Sequence, residues 1–81
     1  MMTVKVLFFG ITTDLVNSNQ DEITIEKPIS VANFKIILKE KYPSLTNIAS
    51  YAIAVNESYA EDTSIIKKND VVALIPPVSG G

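Results

Sequence analysis

The 81-residue chain contains no cysteine, no histidine and no arginine. The lack of cysteine excludes a disulfide framework, a thiolate nucleophile and a zinc knuckle. Because no disulfide requires an oxidising compartment, we expect the protein to be located in the cytoplasm. The lack of histidine removes the most common general base, which disfavours a free-standing enzyme. Arginine supplies the planar fork that grips phosphates and guanine edges, so its absence argues against a nucleic-acid partner.

The net charge is small, the chain is short, and its apolar segments are short as well. Nine carboxylates and seven lysines give a net charge of -2. This charge is too small to accelerate association with a charged partner strongly, but it is compatible with binding to a basic protein. A single domain of this size leaves no room for a deep cleft. The apolar run 4–10 is far too short to span a membrane. The acidic pairs 21–22 and 61–62 lack the further oxygen ligands of a hard-metal site, so we expect no metal.

The remaining residues alternate in patterns that predict a small sheet and one main helix. Segment 3–9 is a strand rich in β-branched and aromatic residues that ends at Gly10. Alternation places Val4, Val6 and Phe8 on one face and Lys5, Leu7 and Phe9 on the other. Because a lysine lies on the second face, that face is expected to meet solvent or a partner.

Three further segments complete the first half of the chain. Residues 11–16 are predicted to form a short helical turn with Ile11 and Leu15 inward, and residues 22–26 a strand that pairs with the first as a hairpin. The main helix begins after Ser30, a predicted N-cap, and ends at Tyr42, because Pro43 disfavours helical geometry there. Its inward face is expected to consist of Val31, Phe34 and Leu38.

The second half predicts three more strands, at 51–55, 58–60 and 71–75, with a turn at Asn56 and Glu57 and a connector over 64–70. The apolar last strand suits the middle of a sheet, beside the first strand. The fold class is therefore α+β, a β-grasp with a mixed sheet of about five strands and one main helix packed across one face. We assign residues 1–75 to this domain and residues 76–81 to a flexible C-terminal tail.

The tail reads Pro-Pro-Val-Ser-Gly-Gly and offers the chain's most reactive group. Gly80 and Gly81 leave a backbone thin enough to thread a narrow channel, with a terminal carboxylate that can be modified. Pro76 and Pro77 fix φ and remove two N–H donors, so the tail is expected to leave the sheet as a stiff, extended segment. The alternatives are that the prolines only terminate a strand and that the glycines are a frayed end.

Three segments carry a resemblance to a known family: 5–9 (Lys-Val-Leu-Phe-Phe), 54–56 (Ala-Val-Asn) and 69–81, which ends in Pro-Pro-Val-Ser-Gly-Gly. Together they resemble the small subunits of molybdopterin synthase, the MoaD family of ubiquitin-like sulfur carriers. The chain differs in having Asn69 where the family often has glycine, and Ile75 where it often has an aromatic residue. Asparagine tolerates the same left-handed turn geometry.

The resemblance implies a function for the tail. Gly81 would be adenylated with ATP on a separate enzyme similar to the ubiquitin-activating enzymes, converted to a thiocarboxylate, and would then donate sulfur to cyclic pyranopterin monophosphate. The active site would lie on the large synthase subunit, in a heterotetramer of two small and two large subunits. The carrier would bind no cofactor and supply no catalytic side chain, with Gly80 giving the tail its flexibility.

The outward face of the sheet is the expected docking surface. The predicted partner-binding residues are Phe9, Tyr59, Ile75, Pro76, Pro77 and Val78. Exposed aromatic residues at the centre of an interface often carry most of the binding energy. The alternative is that Phe9 or Tyr59 belongs to the core, with the strand register shifted by one residue.

Two other functions stay open on the sequence. A carrier for thiamine synthesis or for tRNA thiolation would share the β-grasp fold and the Gly-Gly ending. A ubiquitin-like binding module would share the fold without any chemistry at its terminus.

Overall fold

The computed structural model describes residues 2–47 and 51–76 of the chain. The helices and strands follow one another as β1 (Met2–Phe8), α1 (Ile11–Val16), β2 (Gln20–Ile25), β3 (Ile29–Ser30), α2 (Val31–Lys41), a 3-10 helix (Pro43–Asn47), β4 (Ala52–Val55), β5 (Ser58–Tyr59), β6 (Ile65–Ile66) and β7 (Val71–Ile75). None of the helices in this part of the chain is long and apolar enough to cross a membrane.

Within the described residues, five strands form the main sheet in the order β2-β1-β7-β4-β5. β1 pairs antiparallel with β2 and parallel with β7, and β7 pairs antiparallel with β4. The predicted position of the last strand, central and beside the first, is therefore confirmed. Because β1 and β7 run in the same direction, their carboxyl ends lie at the same edge of the sheet.

The core lies between one face of this sheet and α2. Val4, Val6 and Phe8 of β1 are buried together, and Ile23 and Ile25 of β2 are buried beside them. The predicted inward residues of the helix, Val31, Phe34 and Leu38, are buried as well. Ser30 caps the helix, since its Oγ accepts a hydrogen bond from the backbone N–H of Asn33 at 3.1 Å. The helix ends at Lys41, one residue before Tyr42 and two before Pro43, in agreement with the predicted boundary.

The short helix α1 is present, and of its two predicted inward residues Leu15 packs against the core whereas the prediction for Ile11 was wrong. Ile11 is 51% exposed and Thr12 is fully buried. The Thr12 hydroxyl accepts a hydrogen bond from the backbone N–H of Phe9 at 2.9 Å and donates one to the Phe9 carbonyl. These bonds turn Thr12, with Leu15 and Val16, toward the core.

The predicted connector 64–70 contains a strand that the sequence pattern does not predict. β6 pairs antiparallel with β3 in a separate two-stranded sheet, through Ile29 with Ile66 and Ser30 with Ile65. The buried Ile66 thereby closes the core at the beginning of α2. Two-residue strands have too little alternation for a pattern to reveal them.

Two of the acidic residues tie the fold together. The Tyr42 hydroxyl donates a hydrogen bond to Asp21 of β2, and Lys41 Nζ lies 2.8 Å from Asp21 Oδ2. Burial and the Asp21 carboxylate raise the pKa of Tyr42 to about 12, so this hydroxyl stays a donor at physiological pH. In the middle of α2, Lys35 Nζ lies 3.0 Å from Asp62 Oδ1.

Candidate functional site

The sheet face opposite α2 carries an open, mostly apolar depression of about 350 Å³. We call the surface that lines it the docking face, and its residues are Leu7, Phe9, Ala54, Glu57, Tyr59, Val71, Ala73 and Ile75. The centre of the docking face is formed by residues paired across neighbouring strands. Ala73 of β7 pairs with Leu7 on one side and with Ala54 on the other. Ala54 pairs in turn with Tyr59. A row of side chains thus crosses four strands, with small alanines in the middle and larger groups at the sides.

The structure brings together the three predicted anchor residues on this face. Phe9 is 49% exposed, Tyr59 is 75% exposed and Ile75 is half-buried. The alternative that Phe9 or Tyr59 belongs to the core is wrong, because both side chains are exposed and the core residues of β1 are Val4, Val6 and Phe8. Exposed aromatic groups around an apolar depression are typical of a protein-binding surface.

The base of the tail lies at one end of the docking face. Pro76 follows Ile75 directly and packs against Gly10, which has φ 57. A Cβ atom at position 10 would lie 2.9 Å from Pro76 Cγ, so glycine serves both the left-handed backbone and the close approach. This contact was missed, since no local pattern links residues 66 positions apart. It fixes the point at which the chain leaves the sheet, beside Phe9.

The other predicted tail residues, Pro77, Val78, Gly80 and Gly81, lie outside the described residues. Their roles in chemistry and partner binding stay predictions.

A hydrogen-bonded clamp holds the opposite end of the docking face. The buried carboxylate of Asp70 accepts hydrogen bonds from the Lys67 backbone N–H at 2.9 Å and from Asn56 Nδ2 at 3.0 Å. Asn56 Oδ1 accepts the Val71 backbone N–H at 2.9 Å. The β4–β5 turn is therefore joined to the start of β7. Asn69, with φ 68, adopts the left-handed conformation expected for the turn before Asp70.

Replacing Asp70 with asparagine is expected to destabilise the fold by about 1–3 kcal/mol, because an amide would set an N–H group against one of the donors that the carboxylate now accepts. Burial acts to raise the pKa of Asp70, but the hydrogen bonds from Lys67 and Asn56 outweigh it and the pKa is lowered below 3.8. This contribution is therefore complete above about pH 3.8 and is lost as the pH falls through the lower, folded-state pKa.

Urea denaturation of the wild type and Asp70→Asn between pH 2.5 and 7 measures this effect. The difference in unfolding free energy should be constant near neutrality and shrink below about pH 4. The matched control is Asp62→Asn, which removes an exposed ion pair worth at most about 1 kcal/mol. A difference that persists unchanged at the lowest pH would contradict the role given to the Asp70 carboxylate.

Comparison with known proteins identifies the family. The sequence model described as the ThiS family matches residues 6–81. The chain belongs to the ThiS family. It is 34% identical to the molybdopterin synthase sulfur carrier subunit of Caenorhabditis briggsae, over the full length of both chains.

Two solved structures extend the likeness to three dimensions. Subunit 1 and 2 of the molybdopterin-converting factor of Helicobacter pylori form a complex in which the matching chain is 30% identical, with a TM-score of 0.69 and coverage of 99% of this chain and 100% of that one. A provisionally named molybdopterin converting factor subunit 1 from Pyrococcus furiosus is 25% identical, with a TM-score of 0.87 and coverage of 96% and 100%. The predicted family and β-grasp fold are confirmed.

Proposed function

We propose that this member of the ThiS family is the sulfur-carrying small subunit of a molybdopterin synthase. The observation that carries the proposal is the likeness to the Helicobacter pylori structure, because that relative is seen in complex with its subunit 2. The full-length relative in Caenorhabditis briggsae carries the corresponding name. The proposed setting is the cytoplasm.

The chemistry belongs to Gly81. A carboxylate is a poor electrophile, so a separate activating enzyme first converts it with ATP to an acyl-adenylate, and pyrophosphate is released. Sulfur at the oxidation level of sulfide then displaces AMP and leaves a thiocarboxylate. The thiocarboxylate sulfur attacks cyclic pyranopterin monophosphate in the large subunit, and water then cleaves its bond to the carrier and returns Gly81 as a carboxylate. Two loaded carriers are used for each dithiolene. The carrier itself binds no cofactor.

The docking face and the tail base suit a carrier that binds the large subunit and presents Gly81 to an active site there. The large subunit covers the apolar depression, with Phe9, Tyr59 and Ile75 as anchors, in a heterotetramer of two small and two large subunits. Pro76, held against Gly10, aims the tail from the edge of that contact. Six extended residues reach at most about 20 Å, enough to enter a substantial pocket. A base held in place lowers the entropy cost of ordering the tail on insertion.

Intact mass spectrometry tests the chemistry after co-expression with the activating enzyme and a sulfur source. Replacement of one carboxylate oxygen by sulfur should raise the mass of the carrier by about 16 Da, and the increase should map to the C-terminal peptide. Omission of the activating enzyme is the control. A carrier that stays unmodified with a competent activating enzyme would favour the binding-module alternative.

A pull-down from the source cells separates the sulfur pathways. The loaded carrier should recover the large synthase subunit. Recovery of a thiazole-forming enzyme in its place would assign the carrier to thiamine synthesis.

A further inference from the structure

One acidic side chain lines the otherwise apolar docking face. Among the described residues around the depression, Glu57 alone carries a charge. It lies in the turn between β4 and β5, next to Asn56. No hydrogen bond or ion pair found within residues 2–47 and 51–76 uses its side chain. A carboxylate placed beside apolar groups becomes costly when a partner covers the surface, unless that partner supplies a positive charge.

The backbone at Glu57 is unfavourable for a glutamate. Asn56 has φ 51 and Glu57 has φ 72, and a two-residue turn with both φ values positive favours asparagine at the first position and glycine at the second. Asn56 fits this preference and its side chain makes the clamp to Asp70 and Val71. Glu57 has a Cβ where glycine is preferred. Local folding therefore does not explain the glutamate, and residues held in such conformations cluster at functional sites.

Glu57 and the tail base lie at opposite ends of the docking face. The Asn56 backbone N–H donates to the Val71 carbonyl at 2.8 Å, which places the turn at the beginning of β7. The tail leaves from the other end of β7, after Ile75. Val71 and Ile75 are four steps apart along the strand, or about 13 Å. A charge at one end and a tail at the other give the face a direction that its apolar centre lacks.

Lys5 and Lys67 lie at this end of β7, and each has an acidic neighbour of its own. Lys67 Nζ lies 3.6 Å from Asp70 Oδ1. Lys5 lies beside Val71 in the register of β1 and β7, and its partner across β2 is Glu22. Lys5 also lines a separate polar depression with Gln20, Asp21 and Glu22. The Glu57 carboxylate is therefore available to a group from outside the chain.

We propose that Glu57 is a specificity-determining contact that pairs with a lysine or arginine side chain of the large subunit. The inference rests on the proposed function, because the large subunit is the occupant of the docking face. Once apolar side chains exclude water, a charge-assisted hydrogen bond there is stronger than on an open surface. The pair sets the direction in which the carrier lies, so that the tail points toward the active site of the large subunit.

The test compares the affinity of wild type, Glu57→Gln, Glu57→Lys and Glu57→Gly for the purified large subunit from the same source. Glu57→Gln keeps the size and the backbone and removes the charge, so Kd should rise about tenfold at low ionic strength. Charge reversal in Glu57→Lys should raise Kd about a hundredfold. Both differences should shrink with added salt. Glu57→Gly should weaken binding like Glu57→Gln while its Tm equals or exceeds that of the wild type, because glycine relieves the left-handed strain.

The matched control is Glu26→Gln, which removes an exposed carboxylate just after the edge strand β2, on the other side of the sheet from β5, and should leave Kd unchanged. Equal affinity of wild type and Glu57→Gln would overturn the inference while the proposed function stands. A fall of several degrees in the Tm of Glu57→Gln would assign the residue a structural role and also overturn it. Failure of the wild type to bind the large subunit would instead reject the proposed function.

Discussion

Deletion of Gly81 is expected to abolish sulfur transfer in a synthase reconstituted with the large subunit. The shortened tail ends about 3.5 Å earlier, and a misplacement of only 1 Å can cost a reaction about a hundredfold. The new terminal carboxylate, at Gly80, would therefore fall short of the reacting atoms in both the activating enzyme and the synthase. Product formation should drop below detection, measured as conversion of cyclic pyranopterin monophosphate to molybdopterin.

The same deletion should leave the domain and its docking nearly intact. Tm and the affinity for the large subunit are the measurements, since the core and the docking face lie within residues 2–76. Lys68→Ala, an exposed substitution before the start of β7 and so at the other end of that strand from the tail, controls for the handling of variants. Sulfur transfer by the deletion variant at the wild-type rate would reject Gly81 as the carrier.

Strict alternation made most of the sheet predictable from the sequence. The buried residues alternate along both strands, with Val4, Val6 and Phe8 in β1 and Ile23 and Ile25 in β2, and a shift of one residue would expose all of them together. Lys5 added the information that the second face is open. From these residues follow both the core and the outward position of Phe9.

Contacts between distant residues were not predictable in the same way. The Gly10–Pro76 approach, the β3–β6 pairing and the Asn56–Asp70 clamp each join segments that carry no shared pattern. The prediction that Ile11 points inward was wrong for a related reason. Its hydrophobicity suggested a core position, but the hydrogen bonds between Thr12 and Phe9 determine which side of this six-residue helix faces the core. In so short an element one side-chain bond outweighs an apolar preference.

The candidate site contains residues of both kinds, some predictable from the sequence and some not. Tyr59 and Ile75 were identified by type and by their place at the ends of strands, whereas Glu57 was recognised only as a turn residue. Its membership of the docking face depends on the hairpin register between Val55 and Ser58, which folds the turn over Val71. A signal was present in the sequence nonetheless, because a glutamate after asparagine is unusual where a tight hairpin favours glycine.

Replacement of Phe9 with aspartate should weaken binding to the large subunit about 30- to 1000-fold, the loss expected for an aromatic anchor at an interface. The substitution removes apolar area beside the tail base and would bury an unpaired charge when the partner covers it. Phe9 is already half exposed in the free carrier, so stability should change by no more than about 1 kcal/mol. Isothermal titration and urea denaturation measure the two quantities.

Ile36→Asp is the matched control for Phe9→Asp, because Ile36 is 58% exposed and lies on α2, on the opposite side of the sheet from the docking face. It introduces the same charge at an equally exposed apolar position. We expect it to leave binding unchanged, since the partner does not reach that side. Equal weakening by the two variants would mean that net charge governs association and that the docking face has been assigned wrongly. Weakening by Phe9→Asp alone, with both variants folded, places the large subunit on the face from which the tail departs.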